Sequence, residues 1–185
     1  KNKALQFIGE YDGKIIKTAG FDTIIAVFKN PYKVLRCAHE IQKEFLKYQN
    51  NTDPEIEDIS FNMGISVGQP LTENEGFFEK AIQMSQRLCF IAGNNEIIIS
   101  KLFEELCETN ETIKKHIKLR IVNPAELEFL DHLLDITENR FSEYKFGVDS
   151  LCREMGVSQP QLYRKVTAIS GRSPVSFIRD IRLNK

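Results

Sequence analysis

A chain of 185 residues has room for one large domain or two small ones, and its 42% hydrophobic, 28% charged mix excludes a disordered or collagen-like polypeptide. Its formal net charge of -1 hides an uneven distribution: from Ser158 to Lys185, the cations Arg164, Lys165, Arg172, Arg179, Arg182 and Lys185 face Asp180 alone, a local excess of +5. The longest apolar runs are too short to span a bilayer and no signal peptide opens the chain, so a cytosolic protein with no membrane partner is expected.

In chain order, residues 3–11 read as the end of a helix, with Ala4, Leu5, Phe7 and Ile8 giving way to Gly9 and the Asp12-Gly13 turn. Residues 14–18 and 23–28 are β-branched and apolar and are separated by Ala19-Gly20-Phe21-Asp22, which predicts a hairpin. Asn30-Pro31 starts a helix in which Val34, Leu35, Ala38, Ile41, Phe45 and Leu46 keep helical spacing to about residue 48. The Asn, Asp and Pro content of residues 49–58 predicts a loop. Ile59, Phe61, Met63, Ile65 and Val67 then alternate with small or polar residues, the pattern of a strand with one buried face.

A loop holding Pro70 and Gly76 leads to a predicted helix over 77–92, a short buried strand over 96–100 and a helical stretch over 101–107. A polar break over 109–112 precedes a last strand over 116–122. Together these elements predict an α+β domain with helices on one face of a mostly antiparallel sheet. Asn123, Pro124 and Glu126 form a capping box, and Leu127, Leu130, Leu133, Leu134 and Ile136 stripe the helix that follows. The domain boundary is placed there, dividing the chain into 1–122 and an all-α segment 123–185. With Lys1 at the start and a helical pattern running to Lys185, both ends read as cut.

Cys37, Cys89, Cys107 and Cys152 are widely spaced, hold no C-x-x-C pair and lie in apolar helical patterns, so reduced core thiols are expected. His39, His116 and His132 show no ligand spacing, and no structural metal is expected.

The most informative stretch is 146–182. Val148, Leu151, Cys152 and Met155 make a short apolar stripe ended by Gly156. Ser158 and Gln161 form a second capping box, after which Leu162, Val166 and Ile169 recur at the i, i+4, i+7 spacing of a buried face until Gly171. Two helices meeting across Gly156-Val157-Ser158 make a helix-turn-helix pattern, and a phosphate backbone attracts its local cations. With Gly156, Ser158, Gln161-Leu162-Tyr163-Arg164-Lys165, Gly171, Ser173-Pro174 and Phe177-Ile178-Arg179, the run over about 124–185 resembles the first helix-turn-helix of the AraC/XylS family of bacterial transcription regulators. The resemblance implies a helix in the major groove of double-stranded DNA, with Gln159, Pro160, Tyr163 and Arg164 near base edges and Lys165 near phosphate. Gln161 and Thr167 complete the candidate DNA-binding set, and arginine can pair bidentately with guanine. Family members carry a second helix-turn-helix, whereas this chain ends within the helix that connects the two.

Residues 4–100 carry a second resemblance. Gly13-Lys14-Ile15-Ile16-Lys17-Thr18-Ala19-Gly20, Asp22, Ala26-Val27-Phe28, Met63-Gly64-Ile65-Ser66-Val67-Gly68, Ala81 to Leu88 and Glu96 to Ser100 are similar, in order and spacing, to the class III nucleotide cyclase homology domain. That likeness implies a ferredoxin-type antiparallel sheet with helices, and a site of two metal-binding aspartates, a ribose-positioning Asn and a transition-state Arg. Lys17 matches the purine-selecting lysine, Asp22 one metal aspartate, and Arg87 the arginine, while Gln83 stands where the family has Asn. One further residue in the hairpin displaces Asp22, and the other aspartate would lie upstream of Lys1.

The site is therefore expected to be vestigial, with Lys17, Asp22, Gln83 and Arg87 as its remnants and with Mg or Mn required only if cyclase activity persists. A DNA-binding regulator with a degenerate cyclase-like domain that dimerises, or senses a small molecule or nucleotide, is the leading expectation. A purine nucleotide cyclase fused to a DNA-binding module is the alternative.

Overall fold

The computed structural model describes residues 2–19, 23–50, 61–68, 76–107 and 118–183. Residues 51–58 of the loop predicted over 49–58, Pro70 of the second loop, the polar break over 109–112 and Asp22 lie outside them, whereas Gln49, Asn50 and Gly76 are helical. The fold is α+β and mostly helical: α1 (Asn2–Glu10), β1 (Lys14–Ala19), β2 (Thr23–Val27), α2 (Pro31–Asn50), β3 (Met63–Ile65), α3 (Gly76–Ile91), β4 (Ile97–Ser100), α4 (Lys101–Leu106), β5 (Leu119–Val122), α5 (Pro124–Arg140), α6 (Val148–Met155), α7 (Gln159–Ser170) and α8 (Pro174–Leu183). Among the described residues no helix is long and apolar enough to cross a membrane.

The sheet departs from expectation. Among the described residues only the β1–β2 pair is antiparallel; its register slips between Ile15 and Lys17, leaving Ile16 as a bulge. Strands β3, β4 and β5 form a separate parallel sheet in the order β3-β4-β5. The reason is the connections: α3 lies between β3 and β4, and a helix-length crossover returns the chain to the same end of the sheet, whereas a tight turn would reverse it. The predicted strand over 59–67 is paired only at Met63–Ile65 within the described residues.

Helices pack on both faces of the parallel sheet, where one covered face was expected. Successive side chains of the central strand point to opposite sides. Ile98 joins Leu88, Ile91 and Val122 in a core with Leu130, Leu133, Leu162, Val166 and Phe177 of the C-terminal helices. Ile97 and Ile99 join Leu35, Ala38, Ile65 and Phe103 on the side of α2 and α4. Ile97, Ile98 and Ile99 are all fully buried, so β4 has no solvent face and reads as an unbroken apolar run. The larger core also crosses residue 123, placing the C-terminal helices against α3 and the sheet.

Local capping follows the sequence. Glu126 N–H donates to Asn123 Oδ1 at 2.9 Å, and Asn123 N–H donates to Glu126 Oε2 at 3.0 Å, closing the box that starts α5. Gly156 and Gly171 end α6 and α7 at φ 63° and 68°, the left-handed conformation that favours glycine.

All four cysteines are free thiols. Burial pushes the thiols of Cys37, which also feels the charge of Glu10, and Cys107 from an ordinary 9.0 up to about 11. Each keeps its proton in the folded chain where the unfolded chain has lost it. Their stabilising contribution is therefore fully present below pH 9.0 and is lost as pH rises through about 11. At pH 8, iodoacetamide should leave Cys37 and Cys107 unlabelled until urea unfolds the chain, and the alkaline fall in the urea midpoint should be smaller in a Cys37→Ala/Cys107→Ala variant.

Candidate nucleic-acid interface

Helices α6 and α7 are joined by Gly156, Val157 and Ser158 alone. A capping box opens α7: Ser158 N–H donates to Gln161 Oε1 at 3.0 Å, and the Ser158 hydroxyl donates to the same oxygen at 3.1 Å. Leu162, Val166 and Ile169 are buried, which turns the opposite face of α7 outward. All seven candidate residues, Gln159, Pro160, Gln161, Tyr163, Arg164, Lys165 and Thr167, are exposed there.

Their chemistry is not equivalent. Among the described residues, the side chains of Gln159, Tyr163 and Arg164 make no hydrogen bond or ion pair, so their polar groups are open to a partner. Gln161 already accepts from Ser158, leaving its amide NH₂ as the free group. The Lys165 ammonium lies 5.0 Å from the centroid of the Phe129 ring on α5, a cation–π contact that turns it toward the protein. The Thr167 hydroxyl donates to the carbonyl of Arg172 at 3.3 Å.

The surrounding positive charge is smaller than the sequence count suggests. Arg182 donates to the carbonyls of Phe141, Glu143 and Phe146, at 2.9, 3.2 and 2.8 Å, and so ties α8 to the end of α5. Arg172 and Arg179 both pair with Asp180, at 3.5 and 3.2 Å. Lys185 lies outside the described residues. Arg164 is therefore the basic side chain of α7 that projects without a partner.

A groove of about 280 Å³ adjoins this face, lined in part by Lys145, Val148, Asp149, Gln159, Tyr163 and Val175. The sequence reading missed Lys145 and Val175. Lys145 precedes the helix pattern and carries no periodic signal, and Val175 lies on the next helix, so only folding brings them beside Tyr163.

Of the four residues matched to the cyclase pattern, Lys17, Gln83 and Arg87 lie among the described residues. Lys17 lies on β1, paired through its backbone with Ile25, and Asp22 lies outside the described residues. Gln83 is exposed on α3, whereas Arg87, one turn further, is 3% exposed. Its guanidinium is engaged by α5: it pairs with Asp131 and Asp135 and, at 3.1 Å, with Glu138. Burial alone would lower the Arg87 pKa, but hydrogen bonds to Asp135 and Glu138 and the charge of Asp131 raise it instead. Arg87 thus acts as a fixed cation inside the protein and is not presented to solvent.

Comparison of the chain with models of known protein families, with curated proteins and with solved structures finds no match.

Proposed function

We propose that this chain is a DNA-binding transcription regulator of AraC type, in which α6 and α7 form a helix-turn-helix and α7 enters the major groove of double-stranded DNA. The observation that carries the reading is the outward pair Tyr163 and Arg164, unpartnered beside Gln159 on a helix whose opposite stripe is fully buried. A rigid helix presenting a free guanidinium is the arrangement that reads guanine through two parallel hydrogen bonds. Residues 1–122 act in this reading as a degenerate cyclase-like domain that forms a homodimer or senses a small molecule or nucleotide in the cytoplasm. The confinement of Arg87 among three carboxylates favours this over cyclase catalysis, since that side chain would have to leave its partners to stabilise phosphoryl charge.

Selection of bound duplexes from a randomised library, followed by titration with the complete chain, tests the reading. Binding should weaken steeply with salt. Arg164→Ala should reduce discrimination of the selected site by roughly 1–3 kcal/mol while leaving non-specific affinity in place. Equal weakening on every duplex would assign Arg164 to phosphate, and no duplex binding by the wild type would reject the proposal. Incubation with ATP or GTP and Mn²⁺ checks the competing enzyme reading, which requires a cyclic nucleotide product that Arg87→Ala abolishes.

A further inference from the structure

The last turn of α3 meets three of the C-terminal helices. Arg87 holds the carboxylates of α5. Phe90 packs edge-on against Phe177 of α8, with ring centroids 5.3 Å apart, and the Arg172 guanidinium lies 5.0 Å from the Phe90 ring. The third connection runs through Arg120 on β5. Its Nη2 donates to the carbonyl of Ile91, the last residue of α3, at 3.0 Å, and its Nη1 donates to the carbonyl of Ile169, in the last turn of α7, at 2.6 Å. Both carbonyls fall among the terminal groups that a helix leaves without an internal donor.

Glu96 fixes the fork. Its Oε2 lies 3.2 Å from Arg120 Nη2 and also accepts from Gly93 N–H at 2.8 Å. A single planar cation therefore caps α3 and α7 together and is favourable at the negative end of both helix dipoles. The other described contacts that hold α7 against the core are the apolar ones of Leu162, Val166 and Ile169 and the cation–π contact of Lys165 with Phe129. Apolar burial is non-directional and resists separation of the helix more than its sliding or rotation. The two Arg120 hydrogen bonds supply direction.

We infer that Arg120 is a positioning residue for α7, setting the helix's axial position against the sheet so that movement of α3 or β5 shifts Tyr163 and Arg164 relative to a bound duplex. The inference rests on the proposed role of α7 in reading DNA, and it names the route by which the first 122 residues would regulate that reading.

The complete chain, its Arg120→Gln variant and its Arg120→Lys variant provide the test, with two readouts. Without DNA, amide hydrogen exchange over 166–171 should accelerate about tenfold in Arg120→Gln while the amides of Ile97, Ile98 and Ile99 keep their protection. With DNA, preference for the selected duplex over a scrambled one should fall about fivefold at unchanged salt slope, since no phosphate contact is removed. Arg120→Lys should behave like Arg120→Gln, because one ammonium cannot reproduce the fork.

Wild-type exchange over 166–171 in the variants, or acceleration spread evenly along the chain, would overturn the inference. Selective DNA binding that Arg120→Gln leaves untouched would remove the positioning role while the DNA-reading proposal stands. An exchange response with no duplex binding by the wild type would reject DNA reading and keep the mechanical link.

Discussion

Gly64→Ala is expected to destabilise the chain by about 3 kcal/mol or more, at the upper end of what overpacking a core costs. A β-carbon on Gly64 would stand 2.0 Å from the Ser85 carbonyl oxygen and 2.4 Å from the Cys89 nitrogen. Both are backbone atoms of α3, so no rotamer change relieves the overlap. The Leu88 Cβ is also only 2.9 Å away. The helix would have to retreat from β3, and it carries Leu88 and Ile91 with it in the core shared with the C-terminal helices. Interiors packed at crystal-like density transmit such a shift. Urea denaturation followed by circular dichroism should show the midpoint fall in Gly64→Ala. A midpoint within experimental error of the wild type would mean that β3 and α3 do not approach this closely.

Arg87→Met should cost roughly 3 kcal/mol, the low end for breaking a buried ion pair. The guanidinium is buried, but the side chains of Asp131, Asp135 and Glu138 are 46%, 53% and 29% exposed, so solvent screens part of the repulsion left behind. Methionine retains an apolar stem and removes only the charge and its hydrogen bonds. Adding Asp135→Asn to Arg87→Met should recover about 1 kcal/mol, because the loss is then mutual repulsion among carboxylates. If the two substitutions destabilise additively, Arg87 and Asp135 are not coupled and the cluster does not hold α3 to α5.

The two resemblances read in the sequence differ in how far structure constrains them. For residues 146–182, spacing alone identified which side chains would be buried: Leu162, Val166 and Ile169 lie inward and Tyr163 and Arg164 lie outward. A helix between a capping box and a left-handed glycine has its faces set by its own period, so a local reading suffices. For Arg87 a local reading does not suffice: the partners that bury it lie 44 or more positions away in the chain, and no local pattern announces them.

The sheet shows the same division. The Ile97-Ile98-Ile99 run, apolar on both faces, was legible as a buried strand and already carried the mark of a central parallel one. Its neighbours were not legible, because strand pairing depends on how α3 and the segment after α4 return the chain.

By itself, the sequence determined the positions of its helices, their caps and the outward surface of α7, since propensity, capping and period act within a few residues. Only the tertiary structure decided that Arg87 faces α5, that Arg182 and Lys165 are turned toward the protein, that helices cover both faces of a parallel sheet, and that Arg120 joins α3 to α7. Those outcomes depend on which distant carboxylate, carbonyl or ring each cation meets once apolar burial, which has no direction of its own, has brought the segments together.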